Sequence, residues 1–122
     1  MKILLEQVGL YAERKQKLRT YSKGMTQRAG ICFALVHDPD IIILDELFSG
    51  LSLAEVASIV PIIEKLRFQG KAIIMIEHRL KELFRIADRI MVLNYGNKIA
   101  EGSGSDVMED KAVKNAYLGS ET

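Results

Sequence analysis

The sequence predicts an α/β fold, a mostly parallel sheet flanked by helices, and three observations carry that prediction. Ile41-Ile42-Ile43-Leu44 and Ala72-Ile73-Ile74-Met75-Ile76 are short apolar runs without alternation. Such runs fit strands buried on both faces of a parallel sheet. Between them Val56, Ile59, Val60, Ile63 and Leu66 recur at helical spacing, so strand, helix and strand form a crossover unit. Third, polar side chains suited to chemistry stand at the strand ends: Asp45 and Glu46 after the first, His78 at the end of the second. In open α/β sheets the carboxyl ends of the strands face the ligand crevice.

Composition narrows the class. The 122 residues have room for one domain or part of a larger one. Seventeen basic against 16 acidic residues leave a net charge of +1, which gives no general electrostatic footprint for nucleic acid. The one cysteine, Cys32, excludes an intramolecular disulfide and fits a reducing, cytoplasmic compartment. It sits in a helical apolar pattern as a small core residue. No apolar run approaches the ~20 residues needed to cross a bilayer, and Glu6 and Gln7 end the apolar start too early for a signal peptide.

In chain order, residues 2–8 read as a short amphipathic helix closed by Gly9. Tyr11 to Arg19 is a charged connector; with Lys23 just beyond, it brings together Arg14, Lys15, Lys17 and Arg19 on a solvated face. Ser22 is the N-cap of a helix whose apolar face is Met25, Ala29, Cys32, Phe33 and Val36, running to about His37. Asp38-Pro39-Asp40 breaks it. The next helix spans Leu53 to Phe68, with Pro61 expected to bend it and Gly70 to end it. Arg79 to Ala87 is a further helix, and Ile90 to Leu93 a third strand. Tyr95-Gly96-Asn97 turns into Lys98 to Glu101, and Ser105 caps a last helical region ending near Leu118.

Three features fall where a phosphate could be handled. Ser22-Lys23-Gly24 opens a helix, where free amides and the positive end of the dipole attract anions. An acid pair, Asp45 and Glu46, can hold magnesium through water and orient an attacking water. His78 could contact a phosphate oxygen. Each has a plainer reading: serine caps many helices, Asp-Glu often ends a strand, and a histidine after a strand is more often a surface or core residue.

Together and in this order the residues resemble a known family. Tyr21-Ser22-Lys23-Gly24-Met25-Thr26-Gln27-Arg28 resembles the signature motif of ATP-binding cassette (ABC) ATPases, usually LSGGQ. Ile41 to Glu46 resembles their Walker B motif, Ser49-Gly50-Leu51-Ser52 their D-loop, and His78 their switch histidine. Arg89 to Gly102 is similar to the strand-turn-strand that follows. The ending Ala116-Tyr117-Leu118-Gly119 looks like ATPases of branched-chain amino acid importers, whereas the YSKGM form of the signature is common in drug- and lipid-exporter ATPases.

The resemblance implies a P-loop NTPase-like core and the cofactors ATP and Mg2+. Asp45 would bind magnesium through water, Glu46 would polarise the attacking water, and His78 would contact the γ-phosphate. The signature residues Ser22, Lys23, Gly24 and Met25 would face ATP held mainly by the opposite subunit, with Ser22 and Gly24 touching its γ-phosphate. Ser49, Gly50, Leu51 and Ser52 would lie against that partner. It also implies a second ATPase subunit, identical or different, and transmembrane permease subunits. These would place the protein on the inner face of the cell membrane through its partners alone. Residues 1–37 would be part of the helical subdomain and 38–122 the C-terminal part of the ATPase core.

There are departures from the family pattern. Lys23 replaces the usual first glycine, Met25 the glutamine, Leu47 the proline after the catalytic Glu, and Ser52 the D-loop Asp. A P-loop, G-x-x-x-x-G-K-[ST], is absent: the Gly70-Lys71 pair precedes a strand, is followed by Ala72, and has Lys65 where the first glycine belongs. The P-loop, the adenine-stacking aromatic and the Q-loop are therefore expected upstream, and the strand at Ile41 is expected to carry an exposed apolar edge. A truncated, non-catalytic cassette that pairs with a complete ATPase is the alternative. Cassette ATPases of DNA repair and chromosome organisation share the motifs but carry coiled coils or DNA-binding parts, and this chain has neither heptads nor a basic stripe.

Overall fold

The computed structural model describes residues 1–118, and the final glycine of the Ala116–Gly119 ending lies outside them. The chain divides into two compact units, Met1–His78 and Arg79 onward.

The first unit begins with α1 (Lys2–Gln7), closed by Gly9 at φ +68°. Its connector holds a short 3-10 turn at Leu18–Thr20. Helix α2 (Lys23–Ala34) starts at the Ser22 cap and stops three residues short of the expected end. Pro39 disfavours helical backbone in the residue before it, and Asp38 takes φ +48°. Ending there also changes the buried face. Ala29, Ile31, Cys32 and Leu35 are buried, while Phe33 and Val36 point outward. Burial pushes the Cys32 thiol above its usual pKa, as befits an inert core residue.

Strand β1 (Ile41–Asp45) pairs in parallel with β2 (Ala72–Ile76), with Ile41 opposite Ala72 and Asp45 opposite Ile76. Helix α3 (Leu53–Phe68) joins them. It runs unbroken through Pro61, which is exposed, so water can reach the Ala57 carbonyl that the missing N–H would have bonded. Val56, Ile59, Ile62, Ile63 and Leu66 form its buried face.

The expected burial of β1 on both faces does not hold. Ile42 and Leu44 are buried but Ile41 and Ile43 are exposed, and so are Ile74 and Ile76 on the neighbouring strand. The strand is thus buried on one face only. A strand's side chains alternate between its two faces, so this apolar run leaves every second residue uncovered.

In the second unit, α4 (Leu80–Ile86) leads to a hairpin of β3 (Ile90–Asn94) and β4 (Asn97–Gly102). Its two-residue turn, Tyr95-Gly96, has positive φ at both positions, the primed geometry that matches strand twist. Helix α5 (Gly104–Glu109) is capped by Ser103, not by Ser105, which lies inside it. The Ser103 hydroxyl accepts from the Asp106 amide while the Asp106 carboxylate accepts from the Ser103 amide, a reciprocal box that Ser105 cannot form. A short α6 (Lys111–Val113) and a π turn at Lys114–Leu118 follow. Ile90, Val107 and Val113 form the core of this unit, with Phe84 and Ile99 against it.

Candidate functional site

Parallel pairing in register brings the residues after β1 and β2 out on the same rim. Glu46 Oε1 lies 4.0 Å from His78 Nδ1, both side chains being about 60% exposed. At that distance and exposure the pair is too long for a hydrogen bond and contributes little to stability. Both side chains are left open to a ligand. Asp45, the last residue of β1, is exposed beside them.

Glu46 itself has φ +48°, the left-handed region that disfavours side chains other than glycine's. Its amide donates to the Ile76 carbonyl at 2.8 Å, and its carbonyl accepts from Ser49 N–H at 3.0 Å. These bonds turn the chain sharply out of β1. Asp38 and Tyr95 take nearly the same φ in other turns, so the geometry marks a tight turn at Glu46.

The turn is anchored from below by Leu47, Phe48 and Leu51, all buried, while Ser49 and Gly50 stay at the surface. Leu47, standing where the resemblance puts proline, therefore fills core space. Glu77 Oε1 accepts from Phe48 N–H at 2.7 Å, tying the residue before His78 to the loop after Glu46. The other Glu77 carboxylate oxygen is buried without a partner among the described residues.

The second cluster lies at the start of α2. Ser22 Oγ accepts from Met25 N–H at 3.1 Å, which leaves its own O–H free to donate. Gly24 is buried, and its N–H donates to Glu55 Oε1 at 3.2 Å. Lys23 lies over Gly50: a Cβ on that glycine would sit 3.1 Å from Lys23 Nζ. The larger residue in the signature turn is thus matched by the absence of a side chain in the loop. Tyr21, Lys23, Thr26, Gln27, Ser49 and Gly50 line an open cleft of about 310 Å³.

The structure therefore brings Lys23 against Gly50, links Gly24 to Ser52 through Glu55, and brings Glu46 within 4.0 Å of His78, with Asp45 exposed next to Glu46 in the chain. The turn from Glu46 to Ser49 joins the two groups. Leu51 is the exception among the loop residues, because its side chain is directed into the core. Glu55 and Glu77 were missed by sequence reading. The Ser52-x-x-Glu55 spacing was a legible capping box, whereas nothing in the pattern distinguishes Glu77 from an ordinary polar residue at a strand end.

Gly50 has φ +70°. Gly50→Ala is expected to cost about 1–2 kcal/mol, from the left-handed backbone with a smaller term for displacing the flexible Lys23 end. Urea denaturation checks this; a loss under about 0.3 kcal/mol would mean that the turn is not held in this form.

Among the described residues no three His, Cys, Asp or Glu side chains gather into a cation cage. Magnesium seldom needs one, being held by one or two carboxylates with phosphates and waters. The exposed Asp45 carboxylate suits that mode.

The fold is that of part of an ATP-binding cassette. It superposes on a crystal structure of the ADP conformation of an ABC transporter's ATP-binding cassette with a TM-score of 0.88 and 28% identity, over 96% of this chain and 48% of that one. The nucleotide-free form of such a cassette matches with a TM-score of 0.89 and 28% identity, over 96% of this chain and 48% of that one.

The chain belongs to the ABC transporter family, as part of its ATP-binding domain. The ABC transporter family model matches residues 1–49. An uncharacterized ABC transporter ATP-binding protein of Methanocaldococcus jannaschii is 37% identical over 102 residues, 84% of this chain and 37% of that protein. The lipopolysaccharide export system ATP-binding protein of Escherichia coli is 32% identical over 116 residues, 95% of this chain and 48% of that protein. The chain thus spans less than half the length of these relatives. No described helix is long and apolar enough to cross a membrane.

Proposed function

We propose that this chain is part of the ATP-hydrolysing subunit of a membrane transporter, with residues 1–37 in its helical subdomain and 38–122 in the C-terminal part of the core. The observation that supports it best is the 4.0 Å approach of Glu46 and His78 on one rim, beside the exposed Asp45. Glu46 takes the role of polarising the attacking water, and His78 contacts the γ-phosphate and senses its departure. Asp45 would hold magnesium through water; the ion, when bound, offsets phosphate charge. Ser22 meets the γ-phosphate of ATP carried by a second subunit, with Lys23 and Met25 beside it; Gly24, expected to touch that phosphate too, is buried with its only donor on Glu55 and instead shapes the turn. Ser49, Gly50 and Ser52 lie against that subunit, and Leu51 anchors them. Such chemistry is positioning and electrostatics, with little covalent work by the protein.

Membrane attachment is through permease subunits. For the cargo, the Ala116 to Gly119 ending supports branched-chain amino acid import. Lipopolysaccharide export and metal transport, named for relatives, are the competing assignments. Uptake of labelled leucine by vesicles containing the assembled transporter decides between them: ATP-dependent accumulation supports the first, and none removes it.

The 122 residues alone carry no P-loop sequence. They are expected to bind ATP with a dissociation constant above about 1 mM and to release no phosphate, since the amides and lysine that wrap the β- and γ-phosphates are missing. Calorimetry and a phosphate-release assay on the purified chain test this. Micromolar affinity with turnover would overturn the division of labour proposed here.

A further inference from the structure

Helix α3 opens with a reciprocal box: Ser52 Oγ accepts from Glu55 N–H at 3.2 Å, and Glu55 Oε2 accepts from Ser52 N–H at 2.9 Å. That box accounts for one carboxylate oxygen. The other, Oε1, reaches away from α3 and accepts the Gly24 amide at the start of α2. The approach depends on glycine, because a Cβ at position 24 would lie 3.1 Å from Glu55 Cγ and 3.2 Å from its Oε1. With Ser22 on the Met25 amide and Glu55 on the Gly24 amide, two otherwise unpaired donors of the first turn of α2 are satisfied.

We propose that Glu55 is a positioning residue whose two carboxylate oxygens, one on the Gly24 amide and one on the Ser52 amide, tie the glycine turn of α2 to the loop before α3. The two surfaces assigned above to the partner subunit then move as one piece. This rests on the functional reading for what the two segments do, not for how they are joined.

The residue type fits the role. Capping alone needs only an acceptor at the third helical position, and in this same protein the shorter Asp106 performs it for Ser103. Glutamate's extra methylene is what carries an oxygen across to α2. Glutamine would not serve, since it offers one acceptor oxygen where two amides need one each, and its NH2 would face an N–H. The amide of Ser52, then that of Gly24 and the Ser52 hydroxyl, hold the Glu55 carboxyl below the usual range, with Lys23 on α2 adding the facing positive charge.

Amide exchange on the full chain, read residue by residue by NMR, tests the proposal. In Glu55→Asp, the Ser52 amide is expected to keep its protection while Gly24 exchanges roughly five- to tenfold faster, the effect of one lost hydrogen bond. In Glu55→Ala both amides accelerate. Unchanged Gly24 exchange in both variants would reduce Glu55 to a helix cap and overturn the proposal.

Should the variants not fold, the wild-type chain supplies the test. As pH falls, the Gly24 and Ser52 amide shifts should move together with one midpoint, below the ordinary glutamate range. A Gly24 signal that does not follow the Ser52 signal overturns the linkage. Neither readout involves nucleotide, so failure here leaves the assignment of Glu46 standing, and failure of that assignment leaves this link intact.

Discussion

In a complete cassette carrying these residues, Glu46→Gln is expected to lower ATP turnover by about 10²- to 10⁴-fold, the span that a positioned general base contributes. Nucleotide affinity should stay within roughly threefold, because the interaction removed is one made with the attacking water in the transition state. Glutamine has nearly the same shape as glutamate and loses only the charge. The backbone at this position is set by the 2.8 Å bond from Glu46 N–H to the Ile76 carbonyl, which the substitution leaves in place. The side chain is exposed and lies 4.0 Å from His78, too far for a hydrogen bond, so the fold should lose little. Single-turnover phosphate release and equilibrium nucleotide binding, measured on the same preparation, check both halves. Turnover within tenfold of wild type would remove Glu46 from the chemistry.

Much of the architecture around that residue is legible in the sequence. The bounds of β2 and α3 coincide with the sequence reading because their boundaries are chemical: Ser52 caps the helix, Gly70 ends it, and the strand is a run of apolar residues between Lys71 and Glu77. The convergence of Glu46 and His78 was readable for the same reason, since two parallel strands must end on one rim.

Less readable was anything that depends on what covers what. Periodicity put Phe33 and Val36 on the buried face of α2, but that face is set by the packing of α2 on its neighbours and by the early stop before Pro39. The run Ile41 to Leu44 shows two apolar faces, and nothing in a strand's own sequence says that the fold leaves one of them uncovered. Ser103 and Ser105 are alike by residue type, and the Ser103-x-x-Asp106 spacing, which puts a carboxylate at the third helical position where Ser105 would have Met108, decides between them. Glu77 was invisible because its partner is a backbone amide 29 positions away.

The loop after β1 carries the largest expected stability effect. Phe48 is 0% exposed and is the largest of the fully buried side chains, in a segment with no helix or strand bonds of its own to hold it. Phe48→Ala should therefore destabilise the protein by about 3–5 kcal/mol, the range for removing a buried phenyl ring and leaving a partly relaxed cavity. Phe68, 82% exposed, is the control, and Phe68→Ala should change stability by under about 0.5 kcal/mol. Urea denaturation of the two variants beside wild type makes the comparison. Equal, small losses would show that the loop is not anchored through its ring. The size of the expected difference has a functional consequence. The Phe48 amide is the one Glu77 accepts, and Ser49 and Gly50 follow it directly. Without the ring, the buried Leu47 and Leu51 and the bond to Glu77 would remain to hold the loop. That bond contributes about 1 kcal/mol, the net value of a typical hydrogen bond, and does not make up for the lost ring. The surface at Ser49 and Gly50 should then lose its fixed geometry before β1 and β2 lose theirs.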